Sequence, residues 1–390
     1  MVVFEGDLYA RGALRDPYPH YRAIRDTAEA VWMPRRKMWA VGRFDDVRAV
    51  LRASDVFVSG DGVGANKFIN GSSAPITLTS DRGVHDRRRR VLIQPVMPAP
   101  LKELRPRLEA EADRLVERHA DGVTFDAMTT IAAHLPVTVI SELVGLNEEG
   151  RSRMLKWAAA TFNMLGVLNW RSLLSLPSLL GLLRYVKRLD RSMVEPGGWA
   201  DQLFAAAERG DLSRAEATSM VIDYVGPALD TTILATGHML WRLAVMSRAY
   251  DELRGAPDLV PSVVNESVRL ASPIRGFTRH AVDDFTLGES IIPKDARVLV
   301  LFASANHDER HYEHPHDFDI HRNPRDHVGW GHGPHSCVGM HLARLEMEIV
   351  LSCLLRHVAT IEADAPVLAY NNVLQGFKHL PMRLHKSAAH

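Results

Sequence analysis

The strongest constraint on the fold is a glycine-rich segment near residue 330 that contains a cysteine and leads directly into a helix. The segment reads Trp330-Gly-His-Gly-Pro-His-Ser-Cys337-Val-Gly. Glycines let the backbone turn tightly beneath a flat ligand, and the N-terminus of the following helix favours negative charge on sulfur and lowers the pKa of a thiol. We therefore expect the segment to present the thiolate of Cys337 to a metal ion.

A single thiolate narrows the choice of metal centre. Structural zinc sites and iron–sulfur clusters need several protein ligands, whereas haem iron can be bound from one side by one thiolate. The other cysteine of the chain, Cys353, lies on an apolar helical stripe that predicts a buried core thiol. A buried core thiol is also the alternative interpretation of Cys337. The other members of the stripe are Val338, Leu342, Leu345 and Ile349.

Composition favours a cytoplasmic folded protein and gives no indication of a nucleic-acid partner. The 390 residues include 47 basic and 47 acidic ones, without a block of like charge. Two cysteines are too few for a disulfide framework, and we expect no signal peptide. The apolar stretch 161–183 contains polar residues, glycine and proline. We therefore expect a mobile lid, core packing or docking on a lipid surface there, and no membrane span.

Apolar periodicity predicts a mainly α-helical chain with minor β-structure, organised as one large domain over residues 1–390. Helical periodicity dominates residues 86–270, and a capping box from Ser213 to Glu216 begins a helix that we expect to continue to about residue 245. Strand-like segments, the first two forming a hairpin, lie at 31–33, 38–41, 285–287, 297–302 and 382–384.

The cysteine segment resembles the haem-binding loop of the cytochrome P-450 family, the haem-thiolate monooxygenases. The matching positions are Trp330, Gly331, Gly333, His335, Cys337 and Gly339. Other matches extend the resemblance from about residue 16 to the C-terminus. The resemblance implies the cytochrome P-450 fold, with haem b buried between the long central helix and the helix after Cys337. It also implies that Cys337 is the axial ligand of the haem iron and that the opposite side is left for O2.

The resemblance assigns roles to several charged residues that would otherwise be ordinary surface groups. Glu266 and Arg269 are three residues apart and can pair on one helical face, which alone indicates only a surface ion pair. The resemblance implies that they form a buried structural network with Arg322 that braces the haem loop. It also implies four partners for the haem carboxylates, namely His85, Arg89, Arg279 and His335.

The centre of the predicted long helix carries a proline, an acid and a hydroxyl group in close succession. Pro227 should kink the helix, because it lacks an N–H and clashes with a preceding carbonyl. The resemblance assigns Asp230 and Thr231 to the acid–alcohol pair that binds O2 and delivers protons. The alternative is a tolerated kink with polar groups at the surface.

The resemblance also implies a substrate chamber, although core packing is the alternative for each of its aromatic residues. The segment Gly62-Val-Gly64, the run from Pro227 and the tail 371–377 are similar to a soluble bacterial branch that acts on small aromatic compounds. Its benzoate-binding members use an arginine in the loop that corresponds to 59–74, where Lys67 is the only cation here. We therefore expect a small, mostly apolar, aromatic substrate, with a terpene or fatty acid as alternative. The chamber residues are Phe68, Phe162, Tyr224, Pro227, Gly276, Phe277 and Phe377.

The expected reaction inserts one oxygen atom of O2 into a C–H bond, giving hydroxylation or O-demethylation. The chain has no G-x-G-x-x-G fingerprint for a nicotinamide or flavin. By resemblance, electrons come from an iron–sulfur ferredoxin with its NAD(P)H-dependent reductase. A peroxide-driven peroxygenase and a non-catalytic haem gas sensor are alternatives, and the acid–alcohol pair argues against both. A basic face for the ferredoxin, or else a merely solvated one, would consist of Arg87, Arg88, Arg90 and Arg344.

Overall fold

The computed structural model describes residues 2–66, 69–70 and 75–387. It is mainly helical with small sheets, which confirms the predicted fold class. The helices of the described residues are α1 (Arg11–Arg15), α2 (Tyr18–Thr27), α3 (Phe44–Arg52), α4 (Arg82–Leu92), α5 (Pro98–His119), α6 (Ser141–Val144), α7 (Glu148–Arg151), α8 (Met154–Leu165), α9 (Trp170–Arg188), α10 (Trp199–Glu208), α11 (Arg214–Val225), α12 (Asp230–Val245), α13 (Ser247–Gly255), α14 (Val260–Ala271), α15 (Phe302–Ala305) and α16 (Met340–His357).

The strands form one five-stranded sheet and three smaller ones. The largest sheet has the order β1-β2-β8-β5-β3, another has the order β4-β12-β9, and β6–β7 and β10–β11 are pairs. The predicted hairpin is confirmed as β1 and β2, which pair antiparallel. The strands are β1 (Val31–Met33), β2 (Met38–Val41), β3 (Phe57–Val58), β4 (Phe125–Asp126), β5 (Phe277–Ala281), β6 (Phe285–Leu287), β7 (Ser290–Ile292), β8 (Arg297–Val300), β9 (Val358–Ala363), β10 (Val367–Leu368), β11 (Phe377–His379) and β12 (Pro381–Lys386).

The predicted long central helix is interrupted in the middle. Its N-terminal capping box is confirmed, because the Glu216 N–H donates to the Ser213 hydroxyl at 3.2 Å and the Ser213 N–H donates to the Glu216 carboxylate at 2.8 Å. However, α11 ends at Val225 and α12 begins at Asp230, so the prediction of one helix to residue 245 is wrong. Pro227 lies in the gap and has no N–H for a helical hydrogen bond, so it breaks the helix instead of only kinking it.

The helix that follows the cysteine segment, α16, lies in the core and packs against α5 and α14. Its predicted apolar stripe is buried, and Cys353 has no exposed surface. Burial raises the pKa of the Cys353 thiol to about 12, so this thiol is inert at neutral pH. The stripe fixes α16 against the core and thereby fixes the loop that ends at its N-terminus.

The apolar stretch 161–183 falls on α8, α9 and the turn between them. Its side chains divide between the interior and the surface, since Phe162 and Leu165 are buried whereas Trp170 and Leu173 are exposed. Among the described residues, no helix is both long enough and apolar enough to cross a membrane.

Candidate active site

A large cavity lies between α11, α12, α4 and the loop that carries Cys337. Its empty space is about 1700 Å³, part of which is continuous with solvent. The cavity collects most of the site residues predicted from the sequence. Those that line it are His85, Arg89, Phe162, Tyr224, Pro227, Thr231, Phe277, Arg279, His335 and Cys337.

Two glycines give the cysteine loop its shape. Gly331 and Gly333 have φ of +69° and +70°, a region that other residues rarely adopt. A Cβ atom on Gly333 would lie 2.4 Å from the Leu51 carbonyl oxygen, so only glycine fits against α3. The loop closes with a hydrogen bond of 2.8 Å from the Cys337 N–H to the Trp330 carbonyl. Cys337 lines the cavity and its surface is open to that cavity, so it is not a thiol packed in the apolar core, although protein atoms surround it and limit its hydration.

The pKa of the Cys337 thiol is raised, whereas the sequence predicted that the helix N-terminus would lower it. Burial by the surrounding protein raises its pKa, while the Gly339 N–H and the charges of Arg89 and Arg344 lower it. The favourable helix terminus is therefore outweighed by loss of hydration. A bound metal ion supplies the positive charge that keeps a coordinating thiol deprotonated.

The four predicted carboxylate partners surround the same part of the cavity. The His85 and His335 rings lie 4.2 Å apart between centroids, and an Arg89 guanidinium N–H donates to the Ser336 hydroxyl at 3.3 Å. The Arg279 side chain is buried and donates to the Thr278 carbonyl at 2.8 Å. Burial lowers the pKa of His335 to about 4.

These residues fit haem b. The buried Nε2 atom of His85 has no hydrogen-bond partner among the described residues, although buried polar atoms rarely lack one. Together with Arg89, Arg279 and His335, it forms a donor set for a pair of carboxylates. Cys337 lines the same cavity, where its sulfur can bind a metal ion. The arrangement combines one thiolate and a cationic rim, as a haem with two propionates requires.

Comparison with known proteins decides the family. The Cytochrome P450 family model matches residues 199–375. Cytochrome P450 CYP199A2 of Rhodopseudomonas palustris is 33% identical over 384 residues, which cover 97% of this chain and 93% of that protein. The chain belongs to the cytochrome P450 family. This P450 is therefore a haem-thiolate monooxygenase that uses haem b, O2 and an external source of electrons.

Two further proteins are similar over almost the whole chain. The beta-dihydromenaquinone-9 omega-hydroxylase of Mycobacterium bovis is 28% identical over 391 residues, which cover 97% of the P450 and 78% of that protein. The structure of CYP109Q5 from Chondromyces apiculatus has a TM-score of 0.80 and 27% identity, and the match covers 99% of both chains. These matches confirm the predicted family and fold.

The acid–alcohol pair lies at the start of α12. The Oδ2 atom of Asp230 is buried without a hydrogen-bond partner among the described residues, and burial raises the pKa of Asp230 to about 7. The Thr231 hydroxyl donates to the Pro227 carbonyl at 2.9 Å. Thr231 and Thr232 line the cavity whereas Asp230 does not.

Two of the predicted chamber residues, Gly276 and Phe377, do not line the cavity. Gly276 is buried against strand β8, where a Cβ atom would lie 2.2 Å from the Val300 carbonyl oxygen. Phe377 packs against Trp241, with ring centroids 5.5 Å apart. Phe68 lies outside the described residues, as does Lys67. Gly276, which directly precedes β5, and Phe377, which begins β11, thus lie outside the lining, whereas Phe277 of β5 belongs to it.

Sequence analysis missed two acidic residues that line the cavity, Asp223 and Glu346. Asp223 is seven residues before Asp230, so two turns of helix separate them. Asp223 is also four residues before Pro227, which was assigned to the chamber and does line the cavity, and that spacing could have placed Asp223 on the cavity face of the predicted long helix. Burial raises the pKa of Glu346 well above its usual value, and both of its carboxylate oxygens lack a partner among the described residues.

The residues Glu266, Arg269 and Arg322 lie together in the structure. The Glu266 and Arg269 side chains have no exposed surface and form two hydrogen bonds of 2.7 Å. Arg322 reaches the same carboxylate at 3.1 Å. Arg269 also donates to the carbonyls of Asn306 and Pro315 at 2.6 and 2.7 Å. The network thereby ties α14 to the segment that precedes the cysteine loop.

The predicted basic face is smaller than the sequence suggested. Arg87 and Arg88 both pair with Glu216, at 2.6 and 2.9 Å, so one carboxylate offsets one of their two charges. Arg90 remains exposed, and Arg344 is half-buried over the Trp330 ring at 5.8 Å. Two of the four predicted arginines thus serve the contact between α4 and α11.

Asparagines connect the lid, which we define as α8, α9 and the turn between them, to the tail 371–374. The Asn372 side chain donates to the Asn163 carbonyl at 3.0 Å and to the Val167 carbonyl at 3.2 Å, and accepts from Asn169 at 2.8 Å. Asn66 donates to the carbonyls of Met164 and Gly166, at 2.8 and 2.7 Å. The lid is therefore fastened on two sides.

Proposed function

We propose that this P450 hydroxylates or O-demethylates a small aromatic compound. The observation that supports the substrate class is the chamber that shares a cavity with Cys337. Its lining area comes mostly from apolar groups, among them the rings of Phe162, Trp199 and Phe277. Apolar and aromatic linings with a few polar groups are typical of sites for small ligands.

Each predicted residue has a distinct part in this proposal. Haem b, when bound, supplies the oxidising chemistry at its iron. Cys337 would hold the iron through sulfur, and His85 and Arg89 would bind the propionates together with Arg279 and His335. The Oδ2 atom of Asp230 would hold and release a proton, and the Thr231 hydroxyl would pass it onward. The broken backbone around Pro227 leaves room beside these two groups.

The acid–alcohol pair favours a monooxygenase over a peroxygenase or a gas sensor. A carboxyl group with a pKa near 7 is suited to proton transfer at neutral pH, and burial raises the pKa of Asp230 to about 7. Peroxide already carries its protons, and a sensor needs no proton delivery. We further propose a ferredoxin as electron donor in the cytoplasm, with Arg90 and Arg344 as the basic groups left for an acidic carrier.

Spectral titration tests the substrate class. We expect methoxyarenes such as 4-methylanisole to move the Soret band of the haem-loaded enzyme to shorter wavelength, because a ligand in the chamber displaces water from the iron. Reconstitution with a ferredoxin and its reductase should then yield formaldehyde. If only long-chain acids or terpenes move the band, the aromatic assignment is wrong.

Replacement of Asp230 by asparagine should lower product formation by about 10²-fold, while ligand binding measured by Soret titration stays unchanged. The carboxyl is protonated below a pH of about 7 and ionised above it, so product formation by the parent enzyme should fall as pH rises through that value. The Asp230→Asn variant should lack this limb of the pH profile. An unchanged pH profile in Asp230→Asn would show that another group supplies the proton. Replacement of the exposed Asp55 by asparagine serves as the control.

A further inference from the structure

Asp223 is a cavity-lining acid that the proposed chemistry does not use. It lies on α11, and its carboxylate accepts a hydrogen bond of 2.8 Å from the Thr77 N–H. Much of the remaining cavity wall is apolar and includes Leu78, Leu92 and Phe162. An acid in such a wall either has a role or costs stability.

The negative charge of Asp223 is not neutralised by an ion pair in the part of the chain that the structure describes. Burial raises its pKa to about 6, while hydrogen bonds from Thr77 and Leu78 and the charge of Arg88 act in the opposite direction. Arg88 itself pairs with Glu216 at 2.9 Å. At neutral pH the carboxylate is therefore ionised, and its four lone-pair positions exceed the donors around it.

Several of the other polar groups of the chamber are already engaged. Three cavity-lining hydroxyl groups, those of Thr161, Tyr224 and Thr231, donate to main-chain carbonyls. The second acid of the cavity, Glu346, belongs to the helix after the cysteine loop. A ligand group that carries a proton and enters the chamber thus meets Asp223 as its acceptor.

We propose that Asp223 determines substrate specificity by accepting a hydrogen bond from a hydroxyl group on the aromatic substrate, and that it disfavours carboxylates. The carboxylate of a ligand would lie beside the Asp223 carboxylate in a site of low dielectric. Repulsion between the two negative charges would lower the affinity of that ligand several-fold or more. An ammonium group would have to lose more hydration than a hydroxyl on entering an apolar chamber. This inference rests on the proposed function and names the polar group of its substrate.

Matched ligands test the assignment by Soret titration of the haem-loaded enzyme. The probes are 4-methoxybenzyl alcohol and 4-methoxybenzoate, which share a skeleton and differ in the polar group. We expect the alcohol to bind at least about tenfold more tightly, a difference of about 1.4 kcal/mol. Equal binding, or tighter binding of the benzoate, would overturn the proposal.

Replacement of Asp223 by asparagine tests the residue itself. Asparagine keeps an oxygen for the Thr77 N–H and adds N–H groups that can serve a carboxylate. The Asp223→Asn variant should therefore lose most of the preference, mainly through tighter binding of the benzoate. The exposed Asp55→Asn variant should keep the preference of the parent. A preference that persists in Asp223→Asn contradicts the proposed role.

Failure of the proposed function can be distinguished from failure of this inference. Binding of 4-methylanisole, which lacks the polar group, depends only on the aromatic chamber. If neither it nor the methoxybenzyl ligands move the Soret band, the aromatic substrate class fails. The preference for an alcohol over a carboxylate is then measured with 1-decanol and decanoate. Tighter binding of 1-decanol supports Asp223 as the acceptor, and tighter binding of decanoate contradicts that role.

Discussion

Replacement of Cys337 by alanine should abolish turnover and remove the strongly red-shifted Soret band that reduced, CO-bound haem shows with a thiolate ligand. The sulfur lines the cavity and is held by a loop whose two glycines have positive φ. No other cysteine is available, because Cys353 is fully buried on α16. We expect product formation to fall at least about a thousandfold, since the electron donation of the thiolate is lost.

The matched control for this experiment is Cys353→Ala, which removes the other thiol. Cys353 does not line the cavity, and its sulfur accepts a hydrogen bond of 3.2 Å from Arg356. The Cys353→Ala variant should keep the red-shifted band and most of the turnover. Retention of the band in Cys337→Ala, or its loss in Cys353→Ala alone, would refute the assignment of Cys337 as the axial ligand.

Replacement of Arg269 by methionine should lower the free energy of unfolding by about 3–5 kcal/mol, because it leaves the Glu266 carboxylate buried without its fully buried cationic partner and with half of its donors removed. The Glu266 side chain has no exposed surface, and Arg269 supplies two of its hydrogen bonds. Arg269 also donates hydrogen bonds to the carbonyls of Asn306 and Pro315. Urea unfolding followed by circular dichroism measures the change.

Arg322→Met provides the comparison within the same network. Arg322 makes one bond of 3.1 Å to Glu266 and keeps 15% of its side chain exposed, so its removal should cost less than the removal of Arg269. The double variant Glu266→Gln with Arg269→Met should recover part of the loss, because the fully buried negative charge at position 266 is removed together with its partner. A loss below about 1 kcal/mol in Arg269→Met would show that Glu266 is hydrated or protonated when its partner is missing.

Local sequence signals predicted local structure well. The hairpin of β1 and β2, the capping box at Ser213 and the apolar stripe of α16 each depend on residues within a few positions of one another. The prediction of one long helix was wrong for a reason that the sequence shows at Pro227. The structure has a break instead of a kink, because Pro227 cannot supply the N–H that the Asp223 carbonyl would accept in a continuous helix. The Thr231 hydroxyl donates to the Pro227 carbonyl next to the break.

Site residues that belong to a sequence motif were predicted. Residues that become neighbours only through contacts between distant segments were missed. Asp223 carries no motif, and its importance depends on Thr77, which is 146 residues away. The pairing of Arg88 with Glu216 spans 128 residues and could not be inferred from the basic run on α4. Phe377 was assigned to the chamber by resemblance, but whether its ring faces the cavity or Trp241 depends on how the tail packs.

The asparagine contacts of the lid bear on how a ligand reaches the iron. Asn372 is 3% exposed and bonds to Asn163, Val167 and Asn169 together, and a Cβ atom on Gly166 would lie 2.3 Å from that of Asn372. Because these bonds share one side chain, separating the tail from the lid breaks them as a group. Opening the cavity on this side therefore requires these bonds to break together, which disfavours entry or exit of a ligand between the lid and the tail.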